Sequence, residues 1–307
     1  MKIKRSIRKQ LTSDWQLYIF LLLPILYLLV FNYYPILGLQ MAFKKYSLSL
    51  GIWGSKWVGF DHFKRFFSAY QFERIIKNTL ILSAYSIIAG FPVPIILALI
   101  INAVRNVRFK IITQTISYMP HFISTIVVVG IIMQVLNPQI GIYGVAYRLL
   151  TGTEALDILG KTNSFSHVYV WSGIWQSMGW NAIIYIAALT SVNPELHEAA
   201  EIDGANRLKR MIYVDFPSIL PTAIILLIMN AGRIMSVGFE KIYLMQNPMN
   251  LPASEVISTY VYKVGFTSAT SDFSYGAAIG LFNSVINLVL IVIVNAISKR
   301  LSAHSLW

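Results

Sequence analysis

Between Asn193 and Pro217 four carboxylates, Glu195, Glu198, Glu201 and Asp203, precede three cations, Arg207, Lys209 and Arg210, with Gly204 between the two groups. Opposite charges brought face to face across a glycine turn suit a contact surface, and Ala199 and Ala200 keep one side of it thin enough for another protein to approach closely. The local punctuation predicts a short helix. Asn193 can cap it, Pro194 suits the first helical position, Glu195 favours the positive end of the dipole and Gly204 suits a left-handed stop. A second helical stretch, 206–214, is expected to follow at an angle. The plainer alternative is a solvated amphipathic loop with no partner.

No bond-breaking constellation accompanies this loop. The chain has no cysteine, which removes disulfides, thiolate metal sites and thiol nucleophiles together. His62, His121, His167, His197 and His304 are scattered rather than paired at metal-ligand spacing, so no metal site is expected. Gly160-Lys161-Thr162 looks like the end of a phosphate-binding loop, but the first glycine of that pattern falls on Ala155. No nucleotide site, and no cofactor bound by this chain, is expected.

The elements that hold the loop are read from charge-free runs. Of 307 residues 56% are hydrophobic and only 12% charged, against about 25% in an ordinary soluble domain. An ionised side chain at bilayer depth is expensive, and a crossing helix needs about 20 apolar residues. Six spans follow, at about 16–40, 78–104, 111–136, 167–190, 217–239 and 275–298, the third closed by Asn137-Pro138 and Gly141. The expected fold class is therefore all-α, a polytopic membrane protein. It comprises a basic N-terminus 1–14, one transmembrane domain 15–298 that includes the loop 191–216, and a short tail 299–307. The N-terminal run is too long for a cleaved signal peptide and has no small-residue cleavage pattern, so it reads as a retained helix.

Alternate connections differ in basic density. One side, 1–14, 105–110, 191–216 and 299–307, holds 13 Lys and Arg in 55 residues; the other, 44–77, 137–166 and 240–272, holds 11 in 97. The denser side is expected to be cytoplasmic, which puts both termini and the loop 191–216 inside. The net charge of +12 is then an orienting feature of a membrane protein, and no nucleic-acid partner is expected. Phe63, Phe66, Phe67 and Tyr70, spaced between Lys64, Arg65 and Arg74, predict a surface helix in the first outer segment.

Glu198-Ala199-Ala200, then Asp203-Gly204-Ala205, then Pro217 resembles the cytoplasmic signature of the membrane subunits of type I ATP-binding-cassette importers. The family's closing Ile-x-Leu-Pro stands here as Val214-Asp215-Phe216-Pro217, two apolar replacements at unchanged spacing. The resemblance covers nearly the whole chain. Gly38–Lys44, Trp57–Phe67, Tyr118–Ser124, Gly238-Phe239-Glu240, Gly280–Asn287 and the terminal Ser305-Leu306-Trp307 look like the carbohydrate importers. Within them they resemble the complex-oligosaccharide permeases, whose relatives import fragments of alginate or pectin-type polysaccharides.

This resemblance implies that Glu198, Ala199, Ala200, Asp203, Gly204, Ala205 and Pro217 form the coupling element that docks on an ATPase subunit. It implies two ATPase subunits that carry ATP and Mg, a second related permease subunit, an extracytoplasmic sugar-binding lipoprotein and an oligosaccharide cargo. The chain itself would be a transport subunit of the bacterial cytoplasmic membrane, in contact with lipid and without an ATPase site of its own.

Sugars are bound by aromatic faces and planar polar groups, and a transport path needs such side chains inside the bundle. Span four offers Trp171, Trp175, Gln176, Trp180 and Asn181; of these Trp171 alternatively belongs to an interfacial aromatic belt. Asn230 in span five and Asn283 and Asn287 in span six are cargo candidates or interhelical glue. Arg233 is the one ionised residue placed inside a span, roughly 24 Å along the helix from Pro217 at about 1.5 Å per residue. It either snorkels, with Glu240 as partner, or attracts the carboxylate of an acidic sugar. The energy-coupling signature is silent about cargo, so a non-carbohydrate solute remains the alternative. A secondary transporter is a different class, disfavoured because none of the thirteen carboxylates lies within a span. An intramembrane enzyme is disfavoured because no acid–base or nucleophilic cluster converges from the spans.

Overall fold

The computed structural model describes residues 15–268 and 271–301. The N-terminus 1–14 and the stretch 302–307, with His304 and Ser305-Leu306-Trp307, lie outside the described residues. The chain is almost entirely helical and divides into two compact units, residues 1–68 with 264–281 and residues 69–263 with 282–307.

The first unit opens with α1, Trp15–Leu28, which runs on through a π-turn and a 3₁₀ stretch to Phe43. This 29-residue helix buries none of its most apolar 18-residue window. So apolar and uncovered a surface requires lipid or another chain against it. After it, Lys44–Lys45 pairs antiparallel with Lys56–Trp57, a two-residue exception to the all-helical expectation. Phe43 stacks on Trp57 at 5.6 Å and meets Phe60 and Phe63 at 5.5 Å, which anchors the end of the helix. The surface helix is present as α2, Asp61–Phe67, but shorter than its aromatic spacing predicts. Phe66 is buried, whereas Tyr70 lies beyond the helix and is 91% exposed. Arg65 binds Asp272 at 2.7 Å and lies over the Tyr275 ring at 4.1 Å.

The second unit holds α3 (Phe72–Gly90), α4 (Pro92–Ala103), α5 (Val107–Tyr118), α6 (Thr125–Val135), α7 (Ile142–Thr151), α8 (Thr162–Thr190), α9 (Pro194–Ile202), α10 (Phe216–Ala231) and α11 (Phe239–Met245). The last helix, α12 (Phe273–Leu301), begins in the first unit and ends in the second. Among the described residues four helical stretches, Trp15–Phe43, Phe72–Ala103, Arg207–Ala231 and Phe273–Arg300, are long and apolar enough to cross a membrane.

Three of the six spans differ from their sequence reading, and the fourth, α8, is not among these four stretches. The third is broken: the stretch ending at Phe122 and α6 meet at 96°. Pro120 removes a backbone donor and Ser124 recaps the chain by accepting from Val127 N, so the helix restarts in a new direction. The fifth starts earlier and stops sooner. Arg207–Asp215 is continuous with α10, and the helix ends at Ala231, before Arg233.

Helix α8 is the central packing element of this unit. One core joins Ile95, Ala98 and Leu99 of α4 to Ala182, Tyr185 and Leu189 of α8 and Ile219 and Ala223 of α10. A second joins Leu82 of α3, Val129 of α6, Phe165 of α8 and Ile242 and Met245 of α11. Gly179 lets α5 come close, because a Cβ there would sit 2.0 Å from the Ser117 carbonyl oxygen. A helix wrapped by its neighbours need not be apolar throughout, and α8 carries Ser172, Gln176, Ser177 and Asn181.

Candidate functional site

The charged loop folds as its punctuation requires. Asn193 accepts from Glu195 N at 3.1 Å, Pro194 opens α9, and Gly204 stops it at φ +74°. Ala205 N then donates to Ala200 O at 2.9 Å, closing the left-handed helix end. Asn206 accepts from Lys209 N at 2.9 Å and starts the helix that becomes α10. Across the turn Arg210 is ion-paired with Glu201. Glu198, Ala199, Asp203 and Gly204 are exposed, Ala200 and Ala205 half-buried, and Pro217 is exposed in the first turn of α10. Leu196 and Ile202 are exposed beside them, giving the loop an apolar as well as an acidic face.

One contact of this loop has no counterpart in the sequence reading. His197 Nε2 of α9 lies 3.2 Å from Oδ1 of Asp215, which is buried at the foot of α10. Asn102, at the end of α4, donates to the same oxygen at 3.4 Å, and Lys110 of α5 donates to Asn102 at 3.4 Å. The loop is therefore tied through polar contacts to α4, α5 and α10. The sole sequence signal is a histidine and an aspartate in one short loop.

A cavity of about 480 Å³ lies within the same unit, walled by α3, α4, α8, α10 and the segment 233–241. Of the candidates for the substrate path, Asn181, Asn230 and Arg233 line it. Trp175, Gln176, Asn283 and Asn287 do not. Trp175 is 46% exposed on the outer face of α8. Gln176 donates to Ile123 O at 2.9 Å and thereby holds a carbonyl at the α5–α6 bend. Asn287 accepts from Met235 N at 3.0 Å and donates to Ser236 at 2.8 Å, fixing the turn that carries Arg233. Asn283 Oδ1 is buried without a hydrogen-bond partner among the described residues.

Arg233 is exposed in the turn after α10 and makes no ion pair with Glu240 among the described residues. The cavity holds a second cation that the sequence reading counted merely as loop charge. Lys241 of α11 is only 9% exposed and donates to Tyr169 O of α8 at 3.1 Å. Its ammonium lies 5.3 Å from the Tyr169 ring centroid, and burial pushes its pKa down to about 8. Among the described residues no Asp or Glu lines the cavity. Tyr169 and Lys241 are 72 positions apart, so no local pattern announces their meeting.

The comparisons with known proteins agree with this architecture. Residues 90–303 match the family described as "binding-protein-dependent transport system inner membrane component". Protein LplB of Bacillus subtilis (strain 168) is 40% identical over 97% of this chain and 92% of its own length. The polygalacturonan/rhamnogalacturonan transport system permease protein YteP of the same organism is 38% identical over 100% and 94%. Among solved structures, a chain of a bacterial transporter involved in the import of the acidic polysaccharide alginate superposes with TM-score 0.87 at 39% identity, covering 96% of this chain and 99% of that one. A chain of the bacterial alginate transporter in complex with an alginate pentasaccharide-bound periplasmic protein gives TM-score 0.88 at 39% identity, covering 98% and 100%. With the helical fold, the capped loop and these likenesses together, the chain belongs to the binding-protein-dependent transport system inner membrane components and is a multi-pass permease subunit of an ATP-binding-cassette transporter.

Proposed function

We propose that the chain carries acidic oligosaccharides across the bacterial cytoplasmic membrane, driven by two ATPase subunits that dock on Glu198–Gly204. In this reading six segments cross the membrane, with α5 and α6 sharing one crossing and α8 supplying another, and both termini are cytoplasmic. The chain has no ATPase site of its own; ATP and Mg sit on the partner subunits. A second related permease completes the path, covering apolar faces such as that of α1, and a sugar-binding lipoprotein delivers cargo from outside.

Force applied to α9 would reach the path directly, because the loop is continuous with α10 and α10 lines the cavity at Asn230. Glu198, Ala199, Ala200, Asp203, Gly204 and Ala205 form the docking surface, and Pro217 belongs to the lever that follows. Asn181, Asn230 and Arg233 face the cargo, whereas Gln176 and Asn287 hold the bend and the turn around it.

The observation that carries the acidic cargo is a cavity whose wall, among the described residues, holds two cations and no carboxylate. Such a wall attracts anions and disfavours cations, while its amides and hydroxyls suit a polyhydroxy ligand. Two similar proteins, a polygalacturonan/rhamnogalacturonan transport permease and a transporter involved in alginate import, point to the same cargo chemistry. The test is ATPase stimulation in proteoliposomes that hold the complete complex and its binding protein, with a panel of neutral and uronate oligosaccharides. Stimulation by the uronates is expected; stimulation by neutral sugars alone would overturn the acidic cargo.

A further inference from the structure

Two cations reach the cavity, and their surroundings differ. Arg233 is exposed on a turn, where water and mobile ions screen it. Lys241 is nine-tenths buried, and no carboxylate lies within ion-pair distance of it among the described residues. Its one hydrogen bond among the described residues, to Tyr169 O, uses one of three ammonium donors. A buried cation without a counter-charge is costly. Burial is also what lowers its proton affinity, and no charged neighbour offsets that effect.

The position is firmly held. Ile242 and Met245 of the same helix are fully buried in the second core, so α11 cannot readily turn the ammonium out. The wall beside it is open: a Cβ built on Gly173 would stand 3.3 Å from Nζ, so the glycine leaves room next to the charge. Tyr169 and Gly173 both line the cavity with Lys241.

We infer that Lys241 is the specificity-determining residue of the cavity, its ammonium binding a carboxylate of the passing oligosaccharide, with Tyr169 presenting its ring and carbonyl and Gly173 leaving the space. The inference rests on the acidic-cargo reading above. It assigns to Lys241 the role that the sequence suggested for Arg233. The uronate supplies the missing counter-charge, and a neutral sugar leaves the cation unpaired, so discrimination comes from a buried group rather than from the exposed one.

The test uses the complete complex with its binding protein in proteoliposomes, and compares a galacturonate oligosaccharide with the same oligosaccharide methyl-esterified. Each variant is referred to the wild type for each cargo, which cancels the preference of the binding protein. Lys241→Met, which keeps length and apolar packing, is expected to lower uptake of the free acid about tenfold and that of the ester less than about twofold. Lys241→Arg is expected to retain most of the preference for the acid. Gly173→Ala, which keeps the charge and crowds it, serves if Lys241→Met fails to assemble, and is expected to give a loss of about threefold confined to the acid. Equal losses for both cargoes, or discrimination abolished by Arg233→Gln and untouched in the variants at 241 and 173, would overturn the assignment to Lys241 and leave the acidic cargo standing. A wild-type complex that accepts the ester and refuses the acid would overturn both.

Discussion

The loop around α9 and the cavity beside α8 handle charge in opposite ways. In the loop most contacts are short in sequence, Asn193 with Glu195, Ala200 with Ala205, Glu201 with Arg210 and His197 with Asp215, and the Asn102 amide that reaches Asp215 from α4 is the exception. Acids and bases are present together, most of them exposed, and the backbone is locked by two asparagine caps and a glycine stop. In the cavity the contacts join Tyr169 to Lys241 and bring Ser83, Asn181 and Arg233 to one wall, and both charges are positive. A surface that must meet another folded protein needs a defined shape and satisfied charges. A path that must hold a ligand and release it needs charges that the ligand itself satisfies.

Perturbations of the loop should therefore act on energy coupling and leave cargo preference intact. The largest effect is expected for Gly204→Asp. The residue sits at φ +74°, which an aspartate adopts only under strain, and the new carboxylate joins an already acidic face. Uptake should vanish for acidic and neutral cargo alike while the subunit still reaches the membrane, as read by membrane fractionation beside transport. Next comes Asp215→Ala, which leaves His197 and the Asn102 amide without their shared acceptor at a cost of about 1–3 kcal/mol. Uptake should fall about tenfold with ATP hydrolysis less affected, so the ratio of ATP consumed to cargo moved rises; an unchanged ratio would separate this contact from coupling.

The cavity is expected to respond to pH through Lys241. The Lys241 pKa is pushed down to about 8 from an ordinary 10.5, so the ammonium is lost as pH rises through about 8. Acidic-cargo uptake should decline between about pH 7 and 9 in the wild type and hold steady in Lys241→Arg, measured with internal pH clamped. The sign for stability is the reverse. Between about pH 8 and 10.5 the unfolded chain keeps a proton that the folded chain has released, so the burial penalty, full below about 8, is relieved as pH climbs. The smallest effect is expected for Glu201→Gln. Its carboxylate is more than half exposed, and loss of the pair with Arg210 should cost at most about 0.5 kcal/mol, seen as a shift of about a degree in the melting of the complex.

The difference in contact range also explains what could be read from the chain. Caps, helix starts and the left-handed stop are decided by residues two to five apart, so the caps and the stop between Asn193 and Asn206 were legible, whereas the contact of His197 with Asp215 was not. The apolar runs were legible for the same reason, since bilayer thickness sets a length that one segment meets alone. The bend after Phe122 was less so, because Pro120 and Ser124 permit it but the Gln176 amide on α8 holds it. Taken as polar groups in apolar runs, Gln176 reads as a cargo residue and Asn287 as either a cargo residue or interhelical glue. Their partners, Ile123 O and the 235–236 turn, lie 50 or more positions away and turn them into struts.

Arg233 and Lys241 show the same division at single residues. The sequence determined a capped, charged loop and long apolar helices, since each follows from spacing along the chain. Tertiary structure decided which cation is buried. Arg233 stood in an apolar run and was released to an exposed turn when α10 ended at Ala231, while Lys241 stood in a polar connection and was carried inward by the packing of Ile242 and Met245. The physical reason is that burial of a charge depends on the neighbours several helices bring together, a sum over contacts that no window of sequence contains.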